Sequence, residues 1–203
     1  MSLFLRELLS SVLQIIIFSI IPFTIWFFKY RKVKNFLNWI GLKPIEIEYR
    51  KNVILLTIAV TILFFISTIF PLYLTKDIDM ATSIFDGLGI DAIPTILIFS
   101  FLKTGLSEEM LFRGFILKTL LSKFKFNTSN IIQGLLFGLL HGILFMPIMG
   151  LTYTIMITLI TGFEGWCMGY INEKKANGSI IPSIIIHGFG NTFSSCLTAF
   201  SIF

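Results

Sequence analysis

The sequence predicts an all-α protein, a polytopic membrane bundle of about six transmembrane helices forming a single domain over residues 1–203. Hydrophobic residues make up 55% of the chain and charged residues only 13%, and the mean hydropathy is +0.89. An ordinary soluble domain carries about 25% charged residues. The apolar residues form six stretches, each near or above the ~20 residues that a helix needs to cross the hydrocarbon. This composition excludes a soluble enzyme, a disordered chain and a coiled coil, and the short alternating segments of a β-barrel are absent from the sequence.

The first two apolar stretches, 8–28 and 53–74, contain no Asp, Glu, Lys or Arg. The first is too long for the apolar core of a signal peptide and lacks a small-residue cleavage site, so we expect a retained helix. The remaining four stretches contain ionisable side chains within their apolar runs. They cover residues 92–117, 130–148, 151–171 and 180–203.

The loop charges predict the orientation of the chain. With six spans, the three basic loops (29–51, 118–130 and the one after 172) lie on one side of the membrane, and the acidic loop 75–91 lies on the other. The positive-inside rule then places the basic loops in the cytoplasm and both termini outside, as in a multi-pass cell-membrane protein. The net charge of +5 is thereby explained by topology and contact with the lipid bilayer, and no nucleic-acid partner is expected.

Seven Lys, Arg, Glu and His residues lie inside the predicted spans, and Asn191 accompanies them as a polar residue. An ionised group in the hydrocarbon costs several kcal/mol, so we expect these side chains to face the bundle interior and to have a function. With a rise of ~1.5 Å per residue, four of them on three helices lie roughly 10–16 Å from the cytoplasmic ends of their spans. This shared depth predicts a pocket that opens to the cytoplasm. The four are Glu108, His141, His187 and Asn191, and the others are Lys103, Glu109, Arg113 and Glu164.

The four residues at matching depth are the types that peptide hydrolysis needs. Hydrolysis requires a base for water and hydrogen bonds to the developing oxyanion. The Glu108 carboxylate beside the His141 imidazole can hold and deprotonate a water. The imidazole of His187 and the carboxamide of Asn191, four residues apart, can stabilise the tetrahedral intermediate.

The other charged residues have more ordinary explanations. Glu109 and Arg113 are four residues apart and are expected to form a structural ion pair, which leaves Glu108 facing elsewhere. Glu164 can line the pocket, pair with Lys103, or be a neutral acid bonded to a backbone carbonyl. A transporter that uses Glu108, His141 and Glu164 as a proton or ion relay is a further alternative, but the first two spans lack the polar or broken segments expected of one.

Three motifs on separate spans carry a resemblance to a known family. In order, they are Glu108-Glu109-x-x-x-Arg113, Phe137-x-x-x-His141 and His187-x-x-x-Asn191. This pattern resembles the CPBP family of intramembrane proteases, also called Abi, which contains CaaX proteases and bacteriocin-processing proteins. The resemblance covers residues 94–191.

The resemblance implies an intramembrane endopeptidase in which Glu108 activates water with the help of His141. His187 and Asn191 would then form the oxyanion site. The remaining motif residues would be supporting residues, namely Glu109, Arg113 and Phe137.

The resemblance also implies the partners and cofactors. The expected partner is a peptide or membrane-associated protein substrate near the cytoplasmic face. No cofactor is expected to be required; the alternative is Zn²⁺ bound by Glu108, His141 and His187, which are suitable ligand types. A non-enzymatic alternative also remains, in which a bacteriocin immunity protein or another membrane-binding factor keeps the pocket and acts by binding.

Overall fold

A computed structural model describes residues 1–46, 50–75, 78 and 80–202 of the chain. The described residues form helices and turns without a strand, so the predicted all-α membrane bundle is confirmed. Within the described part, four helical segments are long and apolar enough to cross a membrane. These are Leu3–Lys29, Arg50–Leu74, Gly89–Leu121 and Phe126–Lys175.

Local sequence signals explain where several helices begin. The hydroxyl of Ser2 accepts a hydrogen bond from the backbone N–H of Leu5 and caps the first helix. Pro182 lies in the first turn of the last helix, where its missing N–H costs nothing. In chain order the helices are α1 (Leu3–Lys29), α2 (Phe36–Ile40), α3 (Arg50–Leu74), α4 (Gly89–Leu121), α5 (Phe126–Lys175) and α6 (Ile181–Ala199).

The segment α5 is folded back on itself at Gly150. This residue has φ 74° and ψ −179°, a conformation that favours glycine. The two arms, α5a (126–149) and α5b (151–175), pack closely, since a Cβ on Gly134 would lie 2.8 Å from the carbonyl oxygen of Gly162. The predicted stretches 130–148 and 151–171 are therefore separate antiparallel helices that meet along a row of glycines.

The basic loops meet at one end of the bundle, which we call the basic end. The backbone N–H of Ile180 donates to the carbonyl of Gly41, 2.9 Å away, and joins the loop after α5 to the loop after α2. The ammonium group of Lys118 donates to Glu173 at 2.8 Å and to the carbonyl of Gly178 at 2.9 Å. The three loops that were predicted to share one side of the membrane are thus in contact with one another.

The first and last described residues lie at the opposite end, which we call the terminal end. There Leu3 and Ala199 pack against Phe85, which lies in the short helical turn Ser83–Phe85. The Ser201 hydroxyl donates to a carboxylate oxygen of Asp86 at 3.1 Å. In the predicted acidic loop, Lys76, Asp77 and Asp79 lie outside the described residues. The number of membrane passes and the side on which each end lies stay predictions.

Candidate active site

The backbone of α4 directs two consecutive glutamates in different directions. Ser107–Glu109 is a short α-helical stretch between two wider π-helical stretches, Ile98–Leu106 and Met110–Leu117. Such π turns are frequent at functional sites. The Glu108 side chain is 17% exposed and faces a cavity, whereas the Glu109 side chain is fully buried.

Three of the predicted site residues converge on one point. The Oε2 atom of Glu108 lies 3.9 Å from Nε2 of His141 and 3.8 Å from Nε2 of His187. These separations are too long for direct hydrogen bonds and short enough for one water to contact both partners. The structure therefore brings together residues from α4, α5a and α6 that are far apart in sequence.

Each imidazole is oriented by a hydrogen bond on its other nitrogen. Nδ1 of His141 lies 2.9 Å from the carbonyl oxygen of Phe137, which can only accept, so Nδ1 is the donor. Nδ1 of His187 lies 2.9 Å from Oε1 of Glu109 and donates to that carboxylate. Both rings consequently direct Nε2 toward Glu108, and a neutral ring offers a lone pair there.

Glu109 and Arg113 form the predicted ion pair, with Nη1 of Arg113 2.6 Å from Oε1 of Glu109 and both side chains fully buried. The guanidinium also lies 4.2 Å from the ring centroid of Phe137, a cation–π distance. Phe137 thus contributes its ring to Arg113 and its carbonyl to the histidine motif. The contact between Glu109 and His187 was missed by sequence reasoning, which assigned Glu109 only to the ion pair.

Asn191 lines the same cavity, but its hydrogen-bond partner was not predicted. Its Nδ2 atom donates to Oγ1 of Thr104, 2.8 Å away, and Thr104 donates in turn to the carbonyl of Ser100 at 2.9 Å. Since a carboxamide nitrogen carries two protons, the second remains for another acceptor. Thr104 precedes Glu108 by four residues on α4, and this spacing is the signal that could have identified it.

The two remaining charged residues have separate partners. Glu164 lines the cavity, which was one of the three predicted alternatives for it. It also accepts a hydrogen bond from the hydroxyl of Ser67. Its predicted pairing with Lys103 is wrong: Nζ of Lys103 lies 2.8 Å from Oε2 of Glu7 on α1. The helix begins five residues earlier than the predicted stretch, and this extension brings Glu7 into the bundle.

The cavity beside these groups has a volume of about 280 Å³ and is enclosed by α3, α4, both arms of α5 and α6. It extends from Glu108 and His187 to residues 80–82 at the terminal end. The prediction placed its opening at the end with the basic loops. The cavity extends in the opposite direction because apolar side chains fill the bundle between the site and the basic end.

The spacing of the donor atoms tests the zinc alternative. Two ligand atoms on one tetrahedral zinc are about 3.3 Å apart, since each lies about 2.0–2.1 Å from the metal. The two histidine nitrogens are instead 3.8 and 3.9 Å from the Glu108 oxygen. Among the described residues no group of three or more His, Cys, Asp or Glu side chains could hold a metal ion. Glu108, His141 and His187 in this arrangement do not fit a zinc site.

A carboxylate directed at two oriented imidazoles beside a cavity can position a water and transfer its proton. No curated protein and no solved structure matches the chain. The model of one family, described as type II CAAX prenyl endopeptidase Rce1-like, matches residues 90–193, just over half of the chain and the part that carries all three motifs. The chain therefore belongs to this Rce1-like family of membrane endopeptidases.

Proposed function

We propose that this protein is an intramembrane endopeptidase that hydrolyses a peptide or membrane-associated protein with a water activated by Glu108 and His141. The observation that carries the proposal is the convergence of Nε2 of His141 and Nε2 of His187 within 3.9 Å of one oxygen of Glu108. Family membership supports a protease, and the geometry supports the roles of these residues.

In the first step, one water donates its protons toward Oε2 of Glu108 and Nε2 of His141. The neutral His141 ring accepts there because its Nδ1 proton is held by the carbonyl of Phe137. Glu108 takes one proton as the water oxygen bonds to the carbonyl carbon of the substrate. The substrate C=O becomes a C–O⁻ group, and when the C–N bond breaks, Glu108 returns the proton to the amine that leaves.

The oxyanion is stabilised by two donors on α6. Asn191 supplies its second Nδ2 proton, since Thr104 accepts only the first. His187 donates from Nε2 as an imidazolium while its Nδ1 proton stays on Glu109. Donors positioned for a developing oxyanion are commonly the largest single contribution to acyl transfer.

The charges in the site balance at each step of this mechanism. Before the reaction, the carboxylates Glu108 and Glu109 are matched by the cations Arg113 and His187. When Glu108 is protonated, the oxyanion replaces its negative charge. A buried cluster that stays neutral overall avoids the large cost of an unpaired charge away from water.

The test is cleavage of a set of reporter peptides by the purified protein in detergent, with products identified by mass spectrometry. Glu108→Ala and His141→Ala should abolish cleavage, and a chelator should leave the rate of the wild-type protein unchanged. The matched control is Asp91→Ala, which removes an exposed carboxylate from the same helix. Cleavage retained in Glu108→Ala would refute the mechanism and favour a binding protein, and loss of cleavage with the chelator would restore the zinc alternative.

A further inference from the structure

We propose that the active site receives its substrate from the extracytoplasmic side of the membrane, as an extended apolar peptide segment that enters at the terminal end. This inference rests on the proposed function and adds the direction of access and the class of substrate. Three independent features carry it: the course of the cavity, the packing beneath the site, and the distribution of charge.

The cavity follows each helix from the site toward the terminal end. On α6 the lining continues from His187 and Asn191 to Ser194, and α6 ends at Ala199 beside the chain termini. On α3 it continues as far as Thr75, one residue beyond the helix. The lining finishes at Ala81, an exposed residue of the segment between α3 and α4. Along the bundle, water and peptide therefore have a route to Glu108 from this end.

The floor of the cavity closes the route from the other end. The ring centroids of Phe64 and Phe137 lie 6.1 and 6.0 Å from that of His187. Beneath them the bundle is filled by a core of buried apolar side chains. Its members toward the basic end are Val53, Phe112, Met168, Ile171, Ala176 and Ile186, each 4% exposed or less.

Contacts between the loops at the basic end further close the route to the site from that end. Lys118 joins the end of α4 to the loop after α5 through its contacts with Glu173 and Gly178. The Ser179 hydroxyl donates to the carbonyl of Lys43 at 2.6 Å. A substrate arriving from this end would have to separate these loops and displace the core.

The charges assign the two ends to the two sides of the membrane. The basic end carries the lysines and arginines of all three predicted cytoplasmic loops, and such loops stay inside. At the terminal end the exposed charges of the segment between α3 and α4 include Asp86 and Asp91. The open end of the cavity is thus the extracytoplasmic one.

The walls of the route define the substrate class. Most of the surface that the cavity exposes is apolar, and Leu72, Phe99, Phe145 and Ile160 contribute to it. Its volume of about 280 Å³ accommodates a few residues of extended chain and excludes a folded domain. The substrate is accordingly a flexible apolar segment of a secreted or membrane-anchored protein, exposed outside the cytoplasm.

Oriented membrane vesicles test the direction of access. After Cys167→Ala and Cys196→Ala remove the native thiols, Ser194→Cys and Thr68→Cys each place one thiol in the cavity, and Lys123→Cys places one on the exposed turn at the basic end. The probe is a charged, membrane-impermeant methanethiosulfonate. It should modify both cavity thiols in right-side-out vesicles only and the Lys123→Cys thiol in inverted vesicles only. Labelling of the cavity thiols in inverted vesicles, or of Lys123→Cys in right-side-out vesicles, would overturn the inference.

Cleavage in the same vesicles separates this inference from the proposed function. A soluble apolar reporter peptide that the detergent-purified protein cleaves should be cleaved by right-side-out vesicles and at least tenfold more slowly by inverted ones. Absence of cleavage in detergent contradicts the proposed function. The thiol labelling then still decides from which side of the membrane the cavity is accessible. Cleavage in detergent with faster turnover in inverted vesicles contradicts only the direction of access.

Discussion

Glu108 and Glu109 are consecutive residues of α4, yet they belong to two different regions of the molecule. Glu108 faces a cavity, 17% exposed, with two imidazole nitrogens nearly 4 Å away. Glu109 lies on the packed side, fully buried, within 3 Å of both Arg113 and His187. The difference indicates a division of labour: a reacting carboxylate needs access and loosely held partners, whereas a carboxylate that orients a histidine needs fixed ones.

The comparison is tested most strongly by replacing Glu108 with its amide. Glu108→Gln keeps the shape of the side chain but removes the base, so kcat should fall by roughly 10²–10⁴-fold. The upper limit corresponds to about 5.5 kcal/mol. The free energy of unfolding, measured by SDS titration of the micelle-bound protein, should not fall, because Glu108 makes no short hydrogen bond among the described residues. A variant that unfolds more easily and retains its kcat would reverse the roles assigned to the two glutamates.

The packed region should respond in the opposite way, with a loss of stability. Arg113→Met removes one of the two cations that contact the buried Glu109 carboxylate, and breaking a buried ion pair from one side costs about 3–5 kcal/mol. The double variant Glu109→Gln/Arg113→Met removes both charges and should recover part of that loss. SDS titration of both variants measures how much of the lost stability the second substitution recovers. Equal losses in the single and double variants would mean that the ion pair does not determine the stability of this region.

The oxyanion role of Asn191 predicts an intermediate effect on the cavity side. Asn191→Ala removes one proposed donor, and kcat should fall by roughly 10²–10³-fold. Thr104→Val retains the carboxamide but removes the acceptor that orients it, so the loss should be smaller. Steady-state kinetics with one reporter peptide measures kcat and KM separately. A rise in KM with unchanged kcat in Asn191→Ala would assign the residue to substrate binding instead.

The sequence predicted the cavity side of this comparison better than the packed side. Charged residues inside apolar stretches are rare enough to be identified individually, and helical rise gives their depth from sequence alone. The convergence of Glu108, His141 and His187 was predictable for this reason. The break at Gly150 was also predictable, because two stretches long enough to span a membrane adjoin there.

The features that were missed depend on packing between helices. The contact between Glu109 and His187 joins α4 to α6, and helical spacing within one helix does not reveal which side chain of another helix lies beside it. Lys103 pairs with Glu7 because α1 lies beside α4, and this neighbour relation leaves no periodic signal in the sequence. The end toward which the cavity extends was not evident from the sequence, because depth along each helix does not reveal which end the apolar side chains fill.

Glu164 provides the smallest and most discriminating test, because it lies in the cavity without contacting the point where Glu108 and the two histidines meet. Its carboxylate accepts a hydrogen bond from Ser67 on the wall formed by α3 and α5b. Glu164→Gln should change kcat for an uncharged peptide by less than about tenfold, or 1.4 kcal/mol. If a substrate side chain lies beside this carboxylate, the wild-type protein should have a lower KM for a peptide with lysine at that position than for one with norleucine.

The preference for lysine should disappear in Glu164→Gln and persist in the control Ser67→Ala, which removes only the hydroxyl donor. Comparing KM across a set of peptides with lysine moved one position at a time would locate the contact. A large fall in kcat for every peptide would instead place Glu164 with the reacting groups. The cavity would then contain two catalytic carboxylates, and the assignment of Glu108 to catalysis and Glu164 to substrate binding would be wrong.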